Sequence, residues 1–216
     1  MLLEVIDLLR CTRDHEDSPL VASIRARDDR EIISGVLGCP SCGAEYPITA
    51  GIAIFGEGMP LPEVASTDRY AESDDDTAVR CAALLNLFEQ GGTAVLAKSW
   101  AGAAPALAEM TRTSLLLIDP PSSIRLANGI TGIRIGGTLP LAGASVRGIA
   151  LDEATATPPL LASAARALKS GGRLVAPARA AIPTGMIERA RDDLVWVAEA
   201  GVPASGPIRL ARSGGH

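Results

Sequence analysis

Two patterns of apolar and polar residues divide the chain. From residue 93 onward, short continuous apolar runs alternate with segments of helical periodicity. Continuous apolar strands are typical of a parallel sheet covered on both faces, and their alternation with helices predicts an α/β fold. We predict helices over 103–111 and 157–169. The predicted strands are 93–98, 114–119, 132–135, 148–152, 173–177, 194–197 and 207–211.

The first 55 residues follow a different pattern. Over residues 2–9, apolar side chains recur at helical spacing between acids, which predicts one short helix. Turn residues then separate short extended segments. These segments are 20–27, 31–37, 45–48 and 52–55. A small α+β ribbon module is expected here.

Residues 57–75 interrupt both patterns. They begin with a Gly- and Pro-rich stretch and end in the acidic run 73–76, which continues one residue further. We predict a linker there, between a ribbon domain over 1–56 and an α/β domain over 76–216. The acids also suit the start of a helix, because they favour its positive end. The inner face of that helix is expected to hold Ala78, Cys81, Ala82, Leu85 and Phe88.

Composition excludes several classes of protein. Apolar residues make up 47% of the 216, which is enough for a packed core. The net charge of -5 comes with no basic run, so no broad nucleic-acid surface is expected. No apolar stretch reaches the roughly 18 residues of a membrane span, and the N-terminal run carries acids where a signal peptide needs a basic start. Because no export signal is expected, the unevenly spaced Cys residues indicate cytoplasmic thiols or metal ligands.

The clearest chemical signal is the Cys39-Pro-Ser-Cys42 turn between two predicted strands. A tetrahedral zinc site built from such turns needs two pairs of ligands. The upstream candidate begins at Cys11, but Asp14 stands where a second Cys would complete a strict knuckle, and His15 follows it. The candidate metal ligands are therefore the three Cys with either His15 or Asp14. The alternative is a ribbon that keeps its shape by packing and has lost its ion.

A family resemblance covers roughly residues 1–56. The segment from Leu2 to Cys11, with the Cys-x-x-Cys-Gly, Tyr-Pro-Ile and Gly-Ile motifs between Gly35 and Ile52, resembles the activator subunit of tRNA and protein methyltransferases and its short bacterial relatives. The resemblance implies zinc binding and stabilisation of a partner methyltransferase through strand pairing at the edge of the partner's sheet. A fused ribbon could use the same edge within its own chain.

The second region resembles a class I, S-adenosylmethionine-dependent methyltransferase. Three passages carry this resemblance: the strand ending in Asp119, the run 139–151 that enters the fourth strand, and the Leu-Lys-x-Gly-Gly-x-Leu motif over 168–174. The resemblance implies a Rossmann-like, methyltransferase-type sheet, preceded here by the zinc-ribbon-like domain. It also makes Asp119 the residue that holds the cofactor ribose.

The turn after the first strand of this region departs from the family's pattern. The family has an acid and then a Gly-x-Gly-x-Gly turn, because the backbone must approach the cofactor closely. By position, Ala97 replaces the acid, and Ser99, Ala101 and Ala103 replace the glycines. Trp100 adds a bulky side chain. Asp119 and the three residues that replace the glycines are the candidate cofactor-binding residues. The loss of the acid and of the glycines, however, argues against ordinary S-adenosylmethionine binding.

Catalytic residues are hard to find in the sequence. Asp152 and Glu153 follow the fourth strand of the α/β region, where paired acids could serve as a base. The alternative is a solvated corner in which Asp152 or Thr155 caps the next helix. Because both His lie outside the α/β core, no Ser/His/Asp or Cys/His set is expected.

Three hypotheses about function follow. The leading one is a non-catalytic methyltransferase-like protein, in which an activator-type ribbon is fused to a degenerate α/β domain and acts as a binding or scaffolding subunit. The second is an active S-adenosylmethionine-dependent methyltransferase with a fused activator domain. The third is a structural subunit of a larger assembly. A protein partner or a homo-oligomer is expected, without membrane insertion.

Overall fold

The computed structural model describes residues 1–56, 75–88, 91–122, 124, 126 and 129–201. Its helices are α1 (Asp75–Leu85), α2 (Ala104–Met110) and α3 (Pro158–Ala167), with 3₁₀ helices over Leu3–Leu8 and Lys98–Ala103. Its strands are β1 (Val21–Asp28), β2 (Glu31–Gly38), β3 (Glu45–Thr49), β4 (Ile52–Phe55), β5 (Gly92–Leu96), β6 (Thr113–Ile118), β7 (Ile130–Ile135), β8 (Val146–Ala150), β9 (Leu168–Pro177), β10 (Met186–Arg191) and β11 (Val195–Ala200).

All of these strands belong to one sheet, in the order β1-β2-β3-β4-β7-β6-β5-β8-β9-β11-β10. From β7 to β9 the neighbouring strands are parallel. The order reverses between β5 and β8, which makes the sheet doubly wound. An antiparallel pair, β11 and β10, extends it beyond β9. The predicted α/β class is confirmed, with a Rossmann-like sheet of the methyltransferase type.

The ribbon strands continue this sheet. β1 to β4 pair antiparallel with one another. β4 then pairs in parallel with β7, from Ile52 opposite Gly132 to Phe55 opposite Ile135. The ribbon therefore occupies the sheet edge at β7 within its own chain.

The two faces of the sheet are covered differently. On one face, α1 and α2 enclose a core with β5 and β6. On the other, α3 and the ribbon share a core in which Val5, Leu9 and Leu37 belong to the same cluster as Val95 and Leu116. The ribbon thus supplies apolar cover that an α/β sheet usually takes from crossover helices.

The connection between β7 and β8 shows how this cover is attached. Residues 136–145 contain no helix. Instead, Leu9 forms a bridge with Leu141, the Arg10 N–H donates to the Pro140 carbonyl at 2.8 Å, and the Ala142 N–H donates to the Leu8 carbonyl at 2.8 Å. The end of the first 3₁₀ helix is therefore fixed to the α/β region by backbone hydrogen bonds.

Several predicted elements differ in detail. α1 ends at Leu85, so Phe88 is 56% exposed and was wrongly placed on its inner face. Asn86 adopts a φ of 54°, and Leu87 takes the buried position instead. The predicted linker, apart from its last residue, and the strand over 207–211 lie outside the described residues. None of the described helices is long and apolar enough to cross a membrane.

Candidate functional site

Four candidate ligand atoms converge at one end of the ribbon. The Sγ atoms of Cys11, Cys39 and Cys42 and a ring nitrogen of His15 all lie within 4.8 Å of one another. The Sγ atoms of Cys11 and Cys42 are 3.7 Å apart. A tetrahedral zinc ion with bonds to sulfur of about 2.3 Å holds its thiolates about 3.8 Å apart. The four donors therefore fit a Cys₃His zinc site.

Backbone hydrogen bonds shape the Cys39–Cys42 turn. The Cys39 N–H donates to the Ala44 carbonyl at 2.8 Å, and the Gly43 N–H donates to the Cys39 carbonyl at 2.9 Å. Gly43 has a φ of 71°, a conformation that glycine adopts without steric cost. These bonds fold the turn back so that both thiols reach the same point.

The structure places His15, rather than Asp14, beside the three thiols. His15 Nδ1 lies 2.6 Å from the Glu16 carbonyl oxygen, and Nε2 lies 3.5 Å from Cys39 Sγ. A metal-bound His usually donates one ring N–H to such an acceptor, which turns the other nitrogen towards the ion. Asp14 is exposed and lies outside the cluster.

The pKa is lowered for two of the three thiols in the cluster. Burial raises the pKa of the Cys39 thiol, but its hydrogen bonds with the Cys42 backbone and the Ser18 side chain outweigh this effect and lower the pKa to about 6. For Cys11, burial is likewise outweighed, chiefly by the Tyr46 hydroxyl at 3.1 Å, and the pKa is lowered. The resulting negative charge is what a bound cation would neutralise. Tyr46 was not among the residues predicted for the site, although it lies in the Tyr-Pro-Ile motif.

The other two members of the cluster respond to this charge. The Glu16 carbonyl and the neighbouring Cys11 raise the pKa of His15 to about 9. The Ala44 N–H lowers the pKa of Cys42, but burial and the other two Cys raise it more, so the net direction is upwards. Metal binding at such a site releases protons, because thiolates and neutral imidazole are the binding forms.

The turn after β5 carries three of the candidate cofactor-binding residues. The second 3₁₀ helix, Lys98–Ala103, leads directly into α2. Ala101 and Ala103 are 0% and 1% exposed and belong to the core beneath α1 and α2. Ser99 is exposed, and its N–H donates to Asp152 Oδ2 at 3.0 Å.

Trp100 makes a second link across the same place. Its half-buried indole donates from Nε1 to the Leu151 carbonyl at 3.1 Å. Leu151 and Asp152 follow β8, so both links join the turn after β5 to the end of β8. This is the point where the strand order reverses, and where doubly wound sheets usually bind ligands.

The acids at this edge differ in their surroundings. Asp119 is half-buried after β6, and burial raises its pKa even though the Ile135 N–H and nearby cations oppose the shift. Burial also raises the pKa of Asp152, but hydrogen bonds from Ser99 and Thr155 outweigh it, and the net shift is downwards. Glu153 is exposed and forms an ion pair with Arg179.

Asp152 closes a turn and does not cap a helix. Its Oδ1 accepts from the Thr155 hydroxyl at 2.8 Å and from the N–H groups of Thr155 and Ala154 at 3.0 and 3.2 Å. The N-cap of α3 is Thr157, which has no side-chain capping bond. The expected cap by Asp152 or Thr155 is therefore wrong, because the chain needs these groups to close the turn before the helix.

Comparisons with known proteins add fold-level likenesses. No family model matches the sequence, and no curated protein matches it. Among solved structures, geranyl diphosphate C-methyltransferase from Streptomyces coelicolor A3(2) is 16% identical, with coverage of 52% of this chain and 50% of that one and a TM-score of 0.36. The pyocyanin biosynthetic protein PhzM is 14% identical, with coverage of 58% of this chain and 54% of that one and a TM-score of 0.41. The antibiotic-resistance methyltransferase Kmr is 16% identical, with coverage of 58% of this chain and 93% of that one and a TM-score of 0.35.

The chain spans about half the length of the first two of these proteins. All three TM-scores are below 0.5. The fold assignment therefore rests on the strand order, and the likenesses do not assign an activity.

Proposed function

We propose that the chain is a non-catalytic methyltransferase-like protein that acts as a binding or scaffolding subunit, with one structural zinc ion in its ribbon. The observation that carries this proposal is the closed turn after β5. The Ser99 N–H is bonded to Asp152, and the Trp100 indole is bonded to the Leu151 carbonyl. The turn is therefore bonded to the end of β8 at the place where doubly wound sheets usually bind ligands.

Opening this turn for a cofactor has a cost. The half-buried Trp100 indole would lose its partner, and a donor left unpaired away from water costs about 1–3 kcal/mol unless the ligand replaces the bond. The alanines at 101 and 103 also lack the conformational freedom that the family's glycines bring to this position. Both effects oppose close approach of S-adenosylmethionine.

The zinc proposal rests on the ligand set itself. Three thiolates and one imidazole fill the four positions of a tetrahedral ion, which is the arrangement of structural rather than catalytic zinc. The ion would tie the loop that begins at Cys11 to the turn between β2 and β3. Because the ribbon shares a core with the α/β sheet, zinc would stabilise both.

The ribbon's resemblance to activator subunits supports a role in stabilisation. Its last strand already occupies the edge of the sheet at β7. We therefore propose that the ribbon stabilises its own α/β region and that a partner, or a second copy, binds elsewhere. Four free cysteines, with three in a metal-type cluster, support a cytoplasmic location in this proposal.

One observation favours the alternative of an active methyltransferase. Asp119, which the resemblance to methyltransferases makes the ribose-binding residue, follows β6 and is half-buried. For this alternative to hold, the turn at Ser99 and Trp100 would have to release its bonds to the end of β8 when the cofactor arrives.

Calorimetric titration of the full-length protein with S-adenosylmethionine tests the proposal. A class I methyltransferase of known affinity, titrated in the same buffer, is the positive control. We expect no saturable heat for this chain at cofactor concentrations up to the millimolar range. Saturable binding with a micromolar Kd would overturn the non-catalytic assignment and favour the active enzyme.

A further inference from the structure

A groove of about 940 Å³ lies beside α3. One wall is the outer side of this helix, through Pro158, Ala162 and Ala165. The opposite wall is the connection between β9 and β10, over residues 179–185. None of the residues that line it belongs to the metal cluster or to the turn after β5.

The topology explains why there is space here. β9 and β10 are both antiparallel to β11, so they run parallel to each other and the chain must cross over between them. Such crossovers usually carry a helix, but residues 178–185 contain none. The connection is held against β11 by the Trp196 indole, which donates to the Ala180 carbonyl at 2.8 Å. A groove remains where the helix would lie.

The lining is mostly apolar and made of small side chains. Alanines on both walls are joined by larger apolar residues, namely Leu161, Leu168, Ile182 and Met186. The volume lies near the top of the range of about 300–1,000 Å³ that is usual for small-molecule sites. An elongated apolar ligand that bound in the groove would remove this apolar surface from water.

Two arginines, Arg166 and Arg179, also line the groove. Arg166 has an ion pair with Asp17 at 3.9 Å, and its side chain is 51% exposed. Arg179 pairs with Glu153, and its side chain is 75% exposed. Exposed ion pairs of this kind are weak, so the carboxylate of a ligand can take the place of either acid. Arginine is well suited to bind a carboxylate through two hydrogen bonds.

We propose that this groove binds an anionic amphiphile of the fatty-acid class, with its apolar chain along α3 and its carboxylate at Arg166 or Arg179. The small side chains on both walls leave room for the hydrocarbon chain of the ligand. The two arginines select a negatively charged head group. The inference does not depend on the proposed function, because the groove is separate from the crevice and from the metal cluster.

Competition with a fluorescent fatty acid tests this site on the full-length protein. The competitors are oleate and oleyl alcohol, which share one chain and differ in charge, both kept below their aggregation limits. We expect saturable binding of oleate, about tenfold tighter than the alcohol, which is the effect of one charge-assisted hydrogen bond. Absence of saturable binding, or equal affinity for both competitors, would overturn the proposal.

Variants locate the binding site. Ala162→Trp and Ala181→Trp fill the groove from opposite walls, and each is expected to abolish oleate binding. Ala83→Trp places the same side chain on an exposed position of α1 and should leave binding unchanged. Replacing both Arg166 and Arg179 by Gln should remove the preference for oleate over the alcohol. Wild-type affinity in both groove-filling variants, with unchanged melting temperatures, would contradict the site.

Discussion

The ribbon cluster and the turn after β5 differ in what their polar groups face. In the ribbon, three thiols and an imidazole converge on one point, and contacts with the Tyr46 hydroxyl and the Glu16 carbonyl hold Cys11 and His15 there. In the turn, the Ser99 N–H and the Trp100 indole bond to groups of the same chain. The four ligand atoms of the cluster surround one point that a cation can occupy, whereas the two donors of the turn are bonded to the end of β8.

The two regions also differ in their link to stability. The ribbon shares a core with the α/β sheet, and its ligand-bearing loops lie at the end of that core. An intact ligand set is therefore useful to the fold whatever happens at the crevice. The turn needs only to connect β5 to α2 and to fill space, which alanine and tryptophan do well.

The largest expected effect comes from removing the metal ligands. Replacing Cys39 and Cys42 by Ser should abolish zinc binding and lower the free energy of unfolding by about 4 kcal/mol or more, since a tightly bound ion stabilises by mass action. Metal analysis and denaturant unfolding measure both effects. Cys81→Ala, at a buried position on α1, is the control and should keep its zinc. Equal stability with and without metal would show that the ribbon folds by packing alone.

A substitution in the shared core tests whether the two regions fold as one unit. Leu9 is fully buried and bridges to Leu141. Leu9→Ala should lower the free energy of unfolding by about 3 kcal/mol. Far-UV circular dichroism and tryptophan fluorescence should then report one coincident transition, because both Trp lie outside the ribbon. Two separate transitions would contradict a common core.

The fourth ligand can be identified with neighbouring variants. His15→Ala should weaken zinc binding by about 100-fold or more, because it removes a direct ligand. Asp14→Ala is the matched control and should leave the affinity unchanged, since that side chain lies outside the cluster. Competition with a chromogenic chelator measures both. The reverse result would assign the site to Asp14.

The smallest expected effect concerns the closed turn. Asp152→Asn should destabilise the protein by about 1 kcal/mol at neutral pH, because the carboxylate accepts several hydrogen bonds. The pKa of Asp152 is lowered in the fold, so this stabilisation is present above the ordinary carboxyl pKa of about 3.9. It is lost as the pH falls through the lowered value.

Denaturant unfolding between pH 7 and pH 3 measures this difference. The difference in the free energy of unfolding between the wild type and Asp152→Asn should become smaller below about pH 4. Glu153→Gln, at the adjacent exposed acid, is the control and should change stability much less. A difference that stays constant across this range would show that the charge of Asp152 does not hold the turn.

The sequence predicts most of the sheet, because buried parallel strands such as β6 are continuous apolar runs that tertiary packing reinforces. It misses β10, in which five of the six residues are exposed and three are charged, so that no continuous apolar run marks the strand. It places Phe88 wrongly because the helix ends by a backbone change at Asn86, which has no strong signal in the sequence.

The candidate site was predictable to a similar degree. Cys11, Cys39 and Cys42 follow from spacing, because tight turns deliver thiols in pairs. The placement of His15, rather than Asp14, beside these thiols does not, because it depends on the path of the loop and on the contact between His15 and the Glu16 carbonyl. The altered residues of the turn after β5 were visible in the sequence. The bonds that close it depend on Leu151 and Asp152, which lie about fifty residues further along the chain.

Native mass spectrometry of the untagged protein, with S-adenosylmethionine added, tests the central contrast in one measurement. We predict a species that carries one zinc ion per chain and no cofactor, while a class I methyltransferase sprayed under the same conditions retains its cofactor. A chain that retains S-adenosylmethionine, or that carries no metal, would contradict the account.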